Sequence, residues 1–81
     1  MYKNRAEDGL NNICGKSIKE IREGLDKKTS QRMLADMLQR KGVDLDKNAI
    51  QRIESGQRFV TDIELKAIAA VLEVSYSDLL D

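Results

Sequence analysis

Apolar positions recur along this chain at helical spacing, in short runs closed by polar or glycine-containing breaks. Ile13, Ser17, Ile18, Ile21 and Leu25 trace one inward stripe and predict a helix over 12–23, with Gly24 weakening its end. Leu34 and Leu38, with Met33 and Met37 beside them as core filler, predict a second over 31–41. Ser30 is its N-cap, Gly42 ends it, and the small Ala35 lets another helix approach closely. The third stretch, 46–56, has both ends marked. The Asp46 carboxylate suits the free amides of the first turn, and Gly56 suits a left-handed helix end. Ala49, Ile50 and Ile53 fall on its inner side. Thr61 and Glu64 make a capping box for a fourth helix that runs to Leu72, with Leu65, Ile68, Ala69 and Leu72 inward. Ser75, with Asp78 in the third position, opens a short fifth helix over 76–80. Three apolar pairs, Leu45 with Ile50, Val60 with Leu65 and Val74 with Leu79, stand at hydrophobic-staple spacing, which fixes how the chain enters each helix.

The connections are short and no strand-like alternation occurs, so the pattern predicts an all-α domain of five helices. Residues 1–9 are polar and aperiodic, and 1–11 are expected to form a flexible arm, leaving 12–81 as the domain. Lys3 and Arg5 in that arm could touch a phosphate backbone, but an unstructured tail is the preferred reading. Phe59 and Tyr76 flank the last two helices. They either pack in the core or, if exposed, suit a subunit interface with Val74, Leu79 and Leu80.

Composition narrows the chemistry. With 81 residues the chain makes one domain at most, and its single cysteine, Cys14, cannot form an internal disulfide. No apolar run approaches the ~18 residues of a membrane span, and no signal peptide is recognisable, so a cytoplasmic protein is expected. Without histidine, and with one cysteine, neither a zinc site nor a histidine-activated nucleophile can be built. The Asp44-Leu-Asp46-Lys-Asn48 stretch begins like a calcium loop, but Ala49 and Ser55 stand where glycine and a bidentate glutamate are needed. No catalytic residue, metal or cofactor is predicted.

Net charge is zero, yet its distribution is uneven. Residues 1–58 carry 13 Lys/Arg against 9 Asp/Glu, whereas residues 59–81 carry one Lys against 5 acids. The basic part contains the third helix, whose outer side shows Asn48, Gln51, Arg52 and Ser55, with Lys47 at the edge. Lys, Asn, Gln and Arg are the side chains that read base edges in a major groove. Taken alone, an ordinary solvated face is the preferred reading of them.

The ordered set of features resembles an XRE-type helix-turn-helix domain, the Cro and phage-repressor class. The residues carrying the likeness are Ser30-Gln31, Leu34-Ala35 and Leu38, then 50–56 with Arg58, then Glu64-Leu65, Ile68-Ala69, Val71-Leu72 and the closing Val74-Ser75 with Asp78-Leu79-Leu80. The resemblance implies a compact five-helix bundle of the phage-repressor DNA-binding domain type. It implies base contacts by Lys47, Asn48, Gln51 and Arg52, and DNA-backbone contacts by Gln31, Ser55, Gln57 and Arg58. It also implies that Gln31 braces the recognition helix and that Arg22 and Glu54 form an inward salt bridge between the first and third helices. The angular position of Glu54, nearer Ile50 than Asn48, agrees with that pairing. Implied partners are double-stranded DNA and a second copy of the chain, with the fifth helix as the guessed interface, and no small-molecule effector or room for an effector domain.

Two departures stand out. Both the turn between the second and third helices and the connection before the second are longer than usual, which bears on the contact register. Asp46 occupies a cap often held by Ser or Thr, and its charge is unfavourable beside phosphates unless Lys47 or Arg40 offsets it. A protein-interaction module or antitoxin-like partner with the same fold is the alternative reading, favoured by the zero net charge.

Overall fold

Four of the five helices begin on an N-cap residue whose own side chain accepts an amide of the first turn. The computed structural model describes residues 10–25 and 29–80, and in it the helices are α1 (Gly15–Glu23), α2 (Gln31–Arg40), α3 (Lys47–Glu54), α4 (Asp62–Leu72) and α5 (Tyr76–Leu80). Ser30 Oγ accepts from Met33 N, and Asp46 Oδ1 accepts from Ala49 N at 2.7 Å. Thr61 and Glu64 exchange both bonds of a capping box, and Ser75 and Asp78 do the same for α5. The predicted arm with Lys3 and Arg5, the centre of the first connection at 26–28, and Asp81 lie outside the described residues.

α1 departs from expectation. It begins at Gly15, because Asn12 Oδ1 accepts the Gly15 amide and the chain bends before it. Ile13 therefore precedes the helix, leaves the predicted stripe and is 61 % exposed, while Cys14 takes the buried place. Burial raises the Cys14 thiol above its ordinary pKa, so the group stays protonated and serves as packing. Met33 also turns outward, 44 % exposed, because Leu34, Ala35 and Leu38 already fill the α2 contact.

The core is one cluster. Ile18, Leu34, Leu38, Leu45, Ile50, Ile53, Ile68 and Leu79 are its fully buried large side chains. Each contributes roughly 1.5–3 kcal/mol by leaving water. α3 packs on both α1 and α2, while α5 closes the other side against α1 and α4. Leu79 is thus core and drops out of the predicted interface set, whereas Phe59 and Tyr76 remain about half exposed.

The longer connection from α2 to α3 is held rather than loose. Gly42, at φ +81°, completes a Schellman closure in which Val43 N donates to Leu38 O and Gly42 N to Gln39 O. Leu45 then buries its side chain, and Asp46 caps α3. Gly56 closes α3 in the same way, its amide on Ile53 O and that of Gln57 on Arg52 O. At the end of α4 the left-handed position is Glu73, φ +58°. A side chain there costs about 1 kcal/mol. Glu73→Gly should therefore raise the melting temperature by about 4–8 °C in thermal unfolding; a fall would show that the Glu73 side chain makes a compensating contact.

Candidate nucleic-acid interface

The outer side of α3 follows from its inner one. Ala49, Ile50 and Ile53 are drawn into the core, which turns Lys47, Asn48, Gln51 and Arg52 to the exposed side. Asn48, Gln51 and Arg52 line a shallow cleft of about 330 Å³ together with Ser55 and Gln57. Five of the eight residues that the resemblance assigned to DNA therefore converge on one polar depression.

Lys47 lies apart from them. It faces a second cleft of about 560 Å³, shared with Arg22, Ser30, Gln31 and Arg32. Here the first turns of α2 and α3 come together, and neither contains an acidic residue. The free amides and positive dipole end of α2, capped by the neutral Ser30, favour an anion at such a place, whereas α3 already carries the Asp46 carboxylate as its cap. Arg32 was not singled out by sequence reasoning. Its signal was a cation in a first turn, where the helix dipole disfavours one; Lys47 repeats it at the start of α3.

The brace behind this surface is a buried ion pair. Arg22 Nε donates to Glu54 Oε2 at 2.7 Å and Nη2 donates to Oε1 at 2.9 Å. Arg22 Nη1 also donates to the Thr29 carbonyl at 2.9 Å, and Gln31 Nε2 donates to Glu54 Oε1 at 3.0 Å. The bond to Glu54 raises the Arg22 pKa further, against burial, so the guanidinium stays charged. One carboxylate thereby joins α1, the start of α2 and the last turn of α3.

A second clasp comes from the segment before α1. Asn12 Nδ2 donates to Ile53 O at 3.0 Å and to Arg58 O at 2.7 Å. Asn11 N donates to Gly56 O, and Asn11 Nδ2 donates to Gln57 O, both at 2.8 Å. Leu10 lies against Gly56. Leu10 and Asn11, which the sequence reading counts with the arm, thus hold the exit of α3. Their partners lie more than 40 residues away in sequence, beyond local patterning.

Arg58 has a more complicated position than a surface cation. Its Nη1 and Nη2 donate to Glu64 Oε1 and Oε2 at 2.9 and 3.0 Å, and Nη1 also donates to the Phe59 carbonyl. Pairing with Arg58 holds Glu64 below the ordinary glutamate value of 4.5, against partial burial. Ser55 Oγ donates to Arg52 O within its own helix end.

Among the described residues no cluster of His, Cys, Asp or Glu could hold a metal ion, and no helix is long and apolar enough to cross a membrane. Neither a search of curated proteins nor one of solved structures finds a match. A family model described as helix-turn-helix matches residues 18–79, which include α2, α3 and the brace between Arg22 and Glu54. With five helices in this order and that match over most of its length, the chain belongs to the XRE-type helix-turn-helix family of DNA-binding domains.

Proposed function

We propose that this protein is a small cytoplasmic transcriptional regulator that binds duplex DNA in a sequence-specific manner, with α3 in the major groove. Arg52 or Lys47 suits guanine, and Asn48 or Gln51 suits adenine. Gln31, Ser55, Gln57 and Arg58 serve the sugar–phosphate backbone, with Arg32 beside Lys47 as a further phosphate ligand. The observation that carries the reading is the polar cleft of Asn48, Gln51, Arg52, Ser55 and Gln57, set beside the cations Arg32 and Lys47 in the first turns of α2 and α3.

One such domain offers few base contacts, so binding is proposed to be by a homodimer reading two half-sites ~34 Å apart. Support comes from an exposed apolar surface formed by the loop before α4, the start of α4 and α5. Ile63 is 72 %, Phe59 52 %, Tyr76 51 % and Leu80 40 % exposed. Ile63, Tyr76 and Leu80 line one groove, and Phe59 and Leu80 line a second that shares Asp62 and Leu65 with it. The interface so proposed is wider than α5, taking in the start of α4 and the loop before it.

Asn48→Ala tests the base-reading assignment. Asn48 is exposed, so the fold and melting temperature should stay unchanged. Preference at one base position should fall by about 1–3 kcal/mol. A variant that binds the best site as tightly and as selectively as the parent removes Asn48 from the readout.

A further inference from the structure

Arg58 sits just beyond the exit of α3, beside Gln57 of the polar cleft, yet its charge is already matched. Both terminal nitrogens are spent on the Glu64 carboxylate, whose side chain is 15 % exposed; that of Arg58 is 32 % exposed. We infer that Glu64 is a positioning residue that locks Arg58 against its own chain and so holds down sequence-independent affinity for the DNA backbone. This rests on the DNA-binding reading above and adds a means by which that binding is kept selective.

The geometry supports an exchange without unfolding. Glu64 Oε1 also accepts the Thr61 amide at 3.0 Å, and Thr61 Oγ1 accepts the Glu64 amide. The α4 cap therefore survives when the guanidinium leaves. A phosphate group can take the place of the carboxylate as acceptor for Arg58, because both present a pair of anionic oxygens to the same fork of N–H donors. What the exchange lacks is gain in charge. An arginine bound to its own carboxylate displaces no counterion until the pair opens, and the uncovered Glu64 then faces a polyanion. Each phosphate contact made through Arg58 is discounted accordingly, whatever the base sequence.

Glu64→Gln separates the two roles of the side chain. Glutamine serves equally at the third position of a capping box, so α4 keeps its start, while the charge holding Arg58 is gone. Duplex affinity is measured against salt for the parent, Glu64→Gln, Arg58→Gln and the double variant, on a selected site and on an unrelated duplex. Glu64→Gln should tighten binding to both duplexes alike and steepen the salt dependence by about one contact. Its advantage over the parent should shrink about 3.5-fold between about 50 and 200 mM salt. The double variant should lose that advantage entirely. Unchanged affinity and slope in Glu64→Gln overturn the lock while leaving DNA binding intact. A gain that survives loss of Arg58 also overturns it, since net charge alone then explains the effect. If neither the parent nor Glu64→Gln binds any duplex, the lock and the DNA-binding reading fall together.

Discussion

Arg22→Ala is expected to cost about 3–5 kcal/mol, because it strands the Glu54 carboxylate in the interior. The Glu54 side chain is 3 % exposed and that of Arg22 9 %, so little water reaches the pair. Two of the three donors that Glu54 holds come from Arg22, leaving only Gln31. For a domain of this size the loss corresponds to a fall in melting temperature of roughly 12–40 °C. Arg22→Met combined with Glu54→Leu should recover at least half of it, since no charge is then left buried. That recovery is the informative part. If the double variant is as unstable as the single one, the ion pair contributes more than relief of its own burial. Glu54→Leu alone should also weaken DNA binding beyond what thermal stability explains, because Gln31 then loses its anchor at the last turn of α3.

Gly15→Ala has the second largest expected effect. A Cβ on Gly15 would fall on the Ile53 carbonyl oxygen and stand 2.9 Å from Asn12 Oδ1. Both atoms are fixed, the first as backbone of α3 and the second by its bond to the Gly15 amide. No flexible side chain can give way, so α1 must withdraw from α3 along with the Asn12 clasp on Ile53 and Arg58. Overpacking of this kind costs about 3 kcal/mol. Lys16→Ala, one residue on and exposed, should stay within about 0.5 kcal/mol of the parent. Chemical denaturation of the two variants side by side measures the difference. A Gly15→Ala protein as stable as Lys16→Ala would mean that α1 and α3 are not held as closely as described.

The contrast between these residues shows what could be read from sequence and what could not. Helix starts were legible because capping is local. Ser30, Asp46, Thr61 and Ser75 each act on amides two or three residues away, and all do so in the structure. The inner faces of α3 and α4 were legible because several apolar residues share one helical period. Ile13 broke that rule, since the period holds only once the helix has begun and Asn12 delays the beginning. Met33 broke it because a stripe can be filled by smaller neighbours. Gly15 carries no pattern at all; its role exists only against Ile53, 38 positions away.

The candidate interface divides in the same manner. By angle Asn48, Gln51, Arg52 and Ser55 fall on one side with Lys47 at the edge, and the structure exposes all five, with Lys47 opening onto a different cleft from the others. Arg32 escaped notice because its partner in charge, Lys47, lies 15 residues on and meets it only when α2 and α3 pack. The pairing of Arg58 with Glu64 was hidden because the capping box already accounted for Glu64. A residue with one evident local duty is easily denied a second.

The most direct test of the central claim is selection of bound sites from random duplexes by the full chain, at low and at moderate salt. A two-fold symmetric consensus with half-site centres about one helical turn apart should be recovered at both salts, with affinity falling steeply between them. A pool that remains random, or binding that barely responds to salt, would contradict that claim and leave the exposed side of α3 as an ordinary solvated surface.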